Sequence, residues 1–169
     1  MWEIATAVIW TVEDAGSYKH DAKARVFMVK ILFVCHGNIC RSAMAEYVMR
    51  DMAKKAGVSL EIDSAGVSNE EWGNPVYPPA RRELQKHGIS CDGHHARQIT
   101  RADFDRFDRI YYMDESNGRR IRRDYPNVTN YAPFLPDRNV SDPWPYGDFA
   151  RTFADIAEGC TRILKELTE

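Results

Sequence analysis

Cysteine is scarce in this chain, four residues in 169, and no two of them form a metal-type C-x2-C pair. That argues against a structural zinc site. No GK[ST] triplet is present, so a Walker-type nucleotide loop is excluded. Neither sign of charge dominates: 23 lysines and arginines face 25 aspartates and glutamates, for a net charge of -2. No global basic field therefore points to nucleic acid. The run Arg119-Arg120 with Arg122-Arg123 reads as a solvated helix face, or as a local attraction for acidic or phosphorylated proteins. No internal repeat is visible and no break in composition follows residue 28, so the length suits one domain around one sizeable core.

Long apolar runs are missing too. Trp2, Ile4, Val8, Ile9, Trp10 and Val12 make a short apolar stretch flanked by acidic residues, with no basic leading region and no small-residue cleavage site. It fits neither a signal peptide nor a membrane span. Met28 stands directly before the first apolar strand. Residues 1–27 are therefore expected to be an extension, flexible or weakly packed outside the working fold, and residues 28–169 to be the working domain.

What the chain does have is Val34-Cys35-His36-Gly37-Asn38-Ile39-Cys40-Arg41-Ser42. An apolar run from Val29 to Val34 precedes it, broken only by Lys30, and a helical pattern from Ala43 to Ala56 follows. A strand, a tight loop and a helix result, with five residues between Cys35 and Arg41. Such a loop can curl around one tetrahedral oxyanion with its backbone N–H groups turned inward. The helix start adds unpaired N–H groups and a positive dipole end, which favour a phosphate dianion and a thiolate at Cys35. Arg41 brings a planar fork that grips two oxygens at once. Gly37 permits the turn, and Asn38 can stabilise an unusual backbone conformation. A Cys at a strand end is often only a small hydrophobe; the strand, loop and helix around this one favour function.

Helices alternate with strands along the remainder: a helix through Met44, Tyr47, Val48 and Met52 capped by Ser42 and ended by Gly57; a strand over 60–67; and a helix from Pro78-Pro79 to His87. A short helix capped by Thr100 with Asp103 follows, then a strand over 109–113, a basic helix over 114–124, a short strand within 128–135 and a terminal helix over 148–167. Pro133 assigns the last strand to an edge. This alternation predicts an α/β three-layer sandwich, a parallel sheet covered by helices on both faces, with Cys35 at the carboxyl end of a strand where strand order reverses.

The run VCHGNICRS resembles the signature of the low-molecular-weight protein tyrosine phosphatases. Further matches extend to the C-terminus at nearly the family's spacings: Asp63-Ser64-Ala65, His87-Gly88-Ile89, Ala96 to Thr100, Met113-Asp114-Glu115-Ser116-Asn117 and Asp142-Pro143. The resemblance implies a central four-stranded parallel sheet in the order 2-1-3-4. It also implies a hydrolase of protein phosphotyrosine, and of small aryl phosphates, that passes through a phosphocysteine. Cys35 would be nucleophile, Arg41 clamp and Asp142 general acid and base; His36 to Cys40 with Ser42 would form the phosphate loop, and Asn38, Ser42, Ser64 and His94 a supporting network. Asp114 would brace the loop from behind, its other reading being a helix N-cap. For Asp142 the competing reading is an Asx-type turn former before proline.

Several positions stay open. Ile39 with Trp144 and Tyr146 is expected to wall the pocket against a flat phenyl ring, but Pro145 separates the two aromatics where the family has them adjacent. His36 either lines the rim or faces water, and an extra residue near Asp92-Gly93 leaves His95 beside His94 in the alignment. Cys40 is implied as a redox partner for Cys35; Cys91 and Cys160 read as packing residues. The expected partner is a phosphotyrosine protein, with inorganic phosphate as product, and no metal, cofactor, nucleic acid or membrane. A free thiolate suits the cytoplasm. The competing functions are a protein-arginine phosphatase, in which Thr stands in place of Ile39, an arsenate reductase, a phosphocysteine carrier and a non-catalytic phosphotyrosine-binding module.

Overall fold

The computed structural model describes residues 28–169, so the expectation for residues 1–27 lies outside the described residues. The order is β1 (Val29–Cys35), α1 (Arg41–Ala56), β2 (Leu60–Gly66), α2 (Pro78–Lys86), α3 (Arg101–Arg106), β3 (Arg109–Tyr112), α4 (Glu115–Asp124), β4 (Tyr131–Pro133) and α5 (Phe149–Thr168). The strands form one sheet in the order β2-β1-β3-β4, and every pairing is parallel. The three-residue β4 sits at an edge, where Pro133 withholds no ladder donor from the interior.

β1 is central and its side chains alternate between two cores, as the period of a strand requires. Ile31 and Phe33 join Met44 and Val48 of α1 and Ile156, Cys160 and Ile163 of α5. Leu32 and Val34 face the other way, onto Phe104 and Phe107 and onto Ile121 of α4. These four β1 residues have no exposed surface. A strand buried on both faces, apolar in sequence, is the mark of a parallel sheet. It fixes Cys35, the last residue of β1, at the point where chain leaves core.

Local signals explain most of the boundaries. Gly57 closes α1 at φ 69°, the left-handed conformation that glycine tolerates. Pro78 opens α2, and the Asp103 carboxylate of α3 accepts from the Thr100 N–H at 2.8 Å. The expected cap of α1 differs. Cys40 occupies the N-cap without a side-chain bond, and the helix begins at Arg41. Ser42 lies inside the first turn because its hydroxyl is turned to Cys35 and Asn38 instead. On α4, Arg120 and Arg123 share Asp124 and Arg122 pairs with Glu115, so its four arginines meet two carboxylates and the helix keeps a net positive charge.

One contact tests the packing of α5. A Cβ on Gly159 would lie 2.2 Å from the Phe134 ring, which is fully buried. Gly159→Ala gains about 1 kcal/mol of helix propensity but forces repacking, which typically costs about 1–3 kcal/mol. Urea denaturation of this variant is expected to show a lower midpoint than the parent; an unchanged or higher midpoint would contradict the packing described.

Candidate functional site

Between β1 and α1, residues 35–41 form a loop around a pocket lined by Cys35, His36, Gly37, Ile39, Cys40 and Arg41, with Glu70, Glu71, Asp142 and Trp144 completing it. Asn38 holds the turn at φ 63°, in the region that asparagine enters more easily than other residues with a β-carbon. Its side chain is fully buried and every polar atom is used. The amide nitrogen donates to Ser42 Oγ at 3.0 Å and Ser64 Oγ at 2.8 Å, and Oδ1 accepts from the Arg97 N–H at 3.0 Å. The backbone N–H points at Cys35 Sγ, 3.3 Å away, and the carbonyl accepts from His94 Nε2 at 2.7 Å. Ser42 Oγ lies 2.9 Å from the same sulfur. The expected network of Asn38, Ser42, Ser64 and His94 is thus assembled around one amide. His94 is buried, whereas His95 is exposed and reaches only the Gly73 carbonyl at 3.4 Å.

Two residues of this network carried no flag in the sequence. Glu46 is 3% exposed and accepts from Ser64 Oγ at 2.5 Å and Arg50 at 2.6 Å. Burial pushes its carboxyl above the usual range, against the pull of Ser64 and Arg50. A glutamate amid the apolar stripe of α1 was the available signal. Gly66 lets the loop close over β2: a Cβ there would sit 2.6 Å from the His36 carbonyl.

Arg41 is 3% exposed and its two terminal nitrogens are forked. One donates to Asp114 at 2.6 Å and the other to Asp142 at 3.0 Å. Burial opposes its charge, but Cys35, Asp142 and Asp114 outweigh that and raise its pKa. Asp114 serves both readings, since its other oxygen caps α4 through the Asn117 N–H at 2.8 Å. Burial would raise its pKa, yet the bonds from Arg41 and Asn117 prevail and hold it below the usual carboxylate range. Asp142 likewise makes an Asx-type bond to the Trp144 N–H at 3.1 Å while reaching Arg41. The Cys40 thiol is pushed far up by burial and by the neighbouring Cys35 and Asp142, so it stays protonated.

The aromatic wall is partly corrected. Trp144 lines the pocket, edge-on to Tyr77 with centroids 4.9 Å apart. Tyr77 is tied to the loop by its N–H bond to the Ile39 carbonyl at 2.9 Å. Tyr146 is 96% exposed and outside the lining, because Pro145 offsets it from Trp144 by one residue. His36 sits at the rim, half-exposed and 3.1 Å from Glu70. Among the described residues no cluster of His, Cys, Asp or Glu could hold a metal ion, and no helix is long and apolar enough to cross a membrane.

Comparison with known proteins covers nearly all of the described chain. A family model described as low molecular weight phosphotyrosine protein phosphatase matches residues 30–169. The low molecular weight phosphotyrosine protein phosphatase 1 of Drosophila melanogaster is 48% identical over 149 residues, 81% of this chain and 96% of that protein. The crystal structure of YfkJ from Bacillus subtilis superposes with a TM-score of 0.79 at 37% identity, covering 85% of this chain and 96% of that one. A Drosophila arginine phosphatase also superposes, with a TM-score of 0.75 at 27% identity, over 83% of this chain and 99% of that one.

The brace behind Arg41 carries a pH signature. An unfolded aspartate takes up its proton near pH 3.9, by general reference values, and folded Asp114 does so at lower pH. Its contribution is therefore present above about pH 4 and is lost as the pH falls through the depressed value. Asp114→Asn removes that share. The stability gap between parent and variant, read from urea midpoints, is expected to be largest at neutral pH and to narrow below about pH 4; a gap independent of pH would contradict the assignment.

Proposed function

The chain belongs to the low molecular weight phosphotyrosine protein phosphatase family, and on that premise we propose that it hydrolyses protein phosphotyrosine, and small aryl phosphates, through a phosphocysteine. The observation that carries this reading is the placement of Cys35, Arg41 and Asp142 around one pocket. The Cys35 thiolate attacks phosphorus as the P–O bond to the phenol breaks, and the Asp142 carboxyl gives its proton to the departing oxygen. Arg41 and the N–H groups of the loop hold the equatorial oxygens, over which the charge of a loose transition state is spread. Water, deprotonated by Asp142, then attacks the phosphocysteine; the S–P bond breaks, inorganic phosphate leaves and the thiolate returns, stabilised by the Ser42 hydroxyl. No cofactor takes part. Ile39 and Trp144 flank a flat ring, which suits a phenyl phosphate better than the short side chain of phosphoserine. Residues 28–169 form the catalytic domain in this reading.

Phosphoarginine hydrolysis is the second reading. The likeness to an arginine phosphatase and the carboxylates of Glu70 and Glu71 at the mouth favour it, while Ile39 favours tyrosine. Comparing turnover of phenyl phosphate with that of phosphoarginine separates the two. Cys35→Ser is expected to abolish turnover and retain phosphate binding. Asp142→Asn is expected to lower kcat by about 10²- to 10⁴-fold, the usual range for a general acid; parental rates in the Asn variant would remove Asp142 from this role.

Cys40 is the proposed redox partner of Cys35. Peroxide would oxidise the Cys35 thiolate to a sulfenic acid, and the Cys40 thiol would condense with it, releasing water and forming a disulfide that a thiol reductant reopens. Peroxide inactivation of Cys40→Ser is accordingly expected to become irreversible by dithiothreitol, whereas full recovery in that variant would exclude Cys40.

A further inference from the structure

The segment that carries Asp142 is exposed for much of its length, with Trp144 53% and Tyr146 96% exposed. Immediately upstream the backbone is pinned. Val140 is buried and its N–H donates to the Met113 carbonyl at 2.9 Å. Ser141, the residue before Asp142, has both backbone polar groups bound by α5: its N–H donates to Asp155 Oδ2 at 2.9 Å, and its carbonyl accepts from Thr152 Oγ1 at 2.9 Å. Thr152 has no exposed surface and Asp155 is 8% exposed. The second oxygen of Asp155 accepts from Arg138 at 3.0 Å, and Arg138 is held in turn by Glu158 at 2.7 Å. Thr152 and Asp155 are three residues apart, so one turn of α5 presents both side chains on one face.

Neither residue lines the pocket, and neither is placed there for apolar packing. A buried carboxylate and a buried hydroxyl are costly to desolvate and are kept where they have defined partners; here both bond the same residue of the loop, the Thr152 hydroxyl lying closer to the Ser141 carbonyl at 2.9 Å than to the Asp148 carbonyl four residues back at 3.2 Å. With the Ser141 N–H and carbonyl fixed, the direction in which the chain enters Asp142 is fixed. We propose that Thr152 and Asp155 are positioning residues that hold the carboxyl of Asp142 within reach of the leaving oxygen. The inference rests on the reading of Asp142 as the general acid.

The test uses the full chain with Thr152→Val, Thr152→Ser and Asp155→Asn, each alone and in an Asp142→Asn background. kcat/KM is measured for aryl phosphates of increasing leaving-group pKa, with inorganic phosphate as competitive inhibitor and thermal midpoints as a check on folding. Because a displacement of about 1 Å can cost about 10²-fold, Thr152→Val is expected to lower kcat/KM for phenyl phosphate by about 10-fold, and Asp155→Asn by at least as much. The loss shrinks for p-nitrophenyl phosphate, whose leaving group needs less protonation. Thr152→Ser retains parental values, phosphate inhibition is unchanged in all three variants, and no further loss appears in the Asp142→Asn background. A loss equal across leaving groups, or undiminished in that background, overturns the proposal and leaves a structural role. If Asp142→Asn itself turns over phenyl phosphate normally, the acid assignment fails; if it is slow while Thr152→Val and Asp155→Asn are normal, only the positioning role fails. Should Thr152→Val not fold, Asp155→Asn carries the same comparison.

Discussion

A buried amide, that of Asn38, underlies the whole pocket. A loop whose N–H groups turn inward leaves its own backbone without the pairing a helix or sheet would provide, and something must hold it. Asn38 does so by taking a left-handed conformation and bonding to three separate parts of the fold: Ser42 in α1, Ser64 in β2 and the Arg97 N–H in the segment before α3. Each such bond contributes only about 1 kcal/mol net, but an unpaired buried group costs about 1–3 kcal/mol. The partners are thus mutually enforcing. Glu46 and His94 extend the network below the loop, and Gly66 leaves room for it to close.

Charge is distributed with equal economy. Three of the four arginines of α4, Arg120, Arg122 and Arg123, find carboxylates on their own helix, and Arg97 is held by Asp63 and Asp103. Arg41 is the cation turned towards the pocket, and it too is paired, through one nitrogen to the rigid cap of α4 and through the other to a loop. One partner is anchored in secondary structure and the other is carried on an exposed segment. The difference between Asp114 and Asp142 is therefore one of attachment more than of chemistry.

How much of this could be read in advance depended on how local the cause was. The strand, loop and helix around Cys35 are written into nine consecutive residues, and the buried character of β1 into an unbroken apolar run, so pocket and sheet were both legible. Asp142 was legible through the proline behind it and the length of its loop. Resemblance supplied Ser64, His94 and the strand order, which no local pattern specifies. Side chains that act across the fold were not visible. Thr152 and Asp155 look like ordinary residues of an amphipathic helix until Ser141 is seen beside them. The choice between Trp144 and Tyr146 stays open in the sequence for the same reason: which of two nearby rings faces a pocket depends on the path of the backbone between them, and that path is not encoded in the ring. Serine at a helix start usually caps it, but here a sulfur and an amide engage the Ser42 hydroxyl instead.

The fork of Arg41 has a further consequence. Both of its terminal nitrogens are already engaged, by Asp114 at 2.6 Å and by Asp142 at 3.0 Å, and each keeps a second N–H, so an anion entering the loop shares Arg41 with two carboxylates. One positive charge is thereby spread over several anions, which lowers its net pull on each of them.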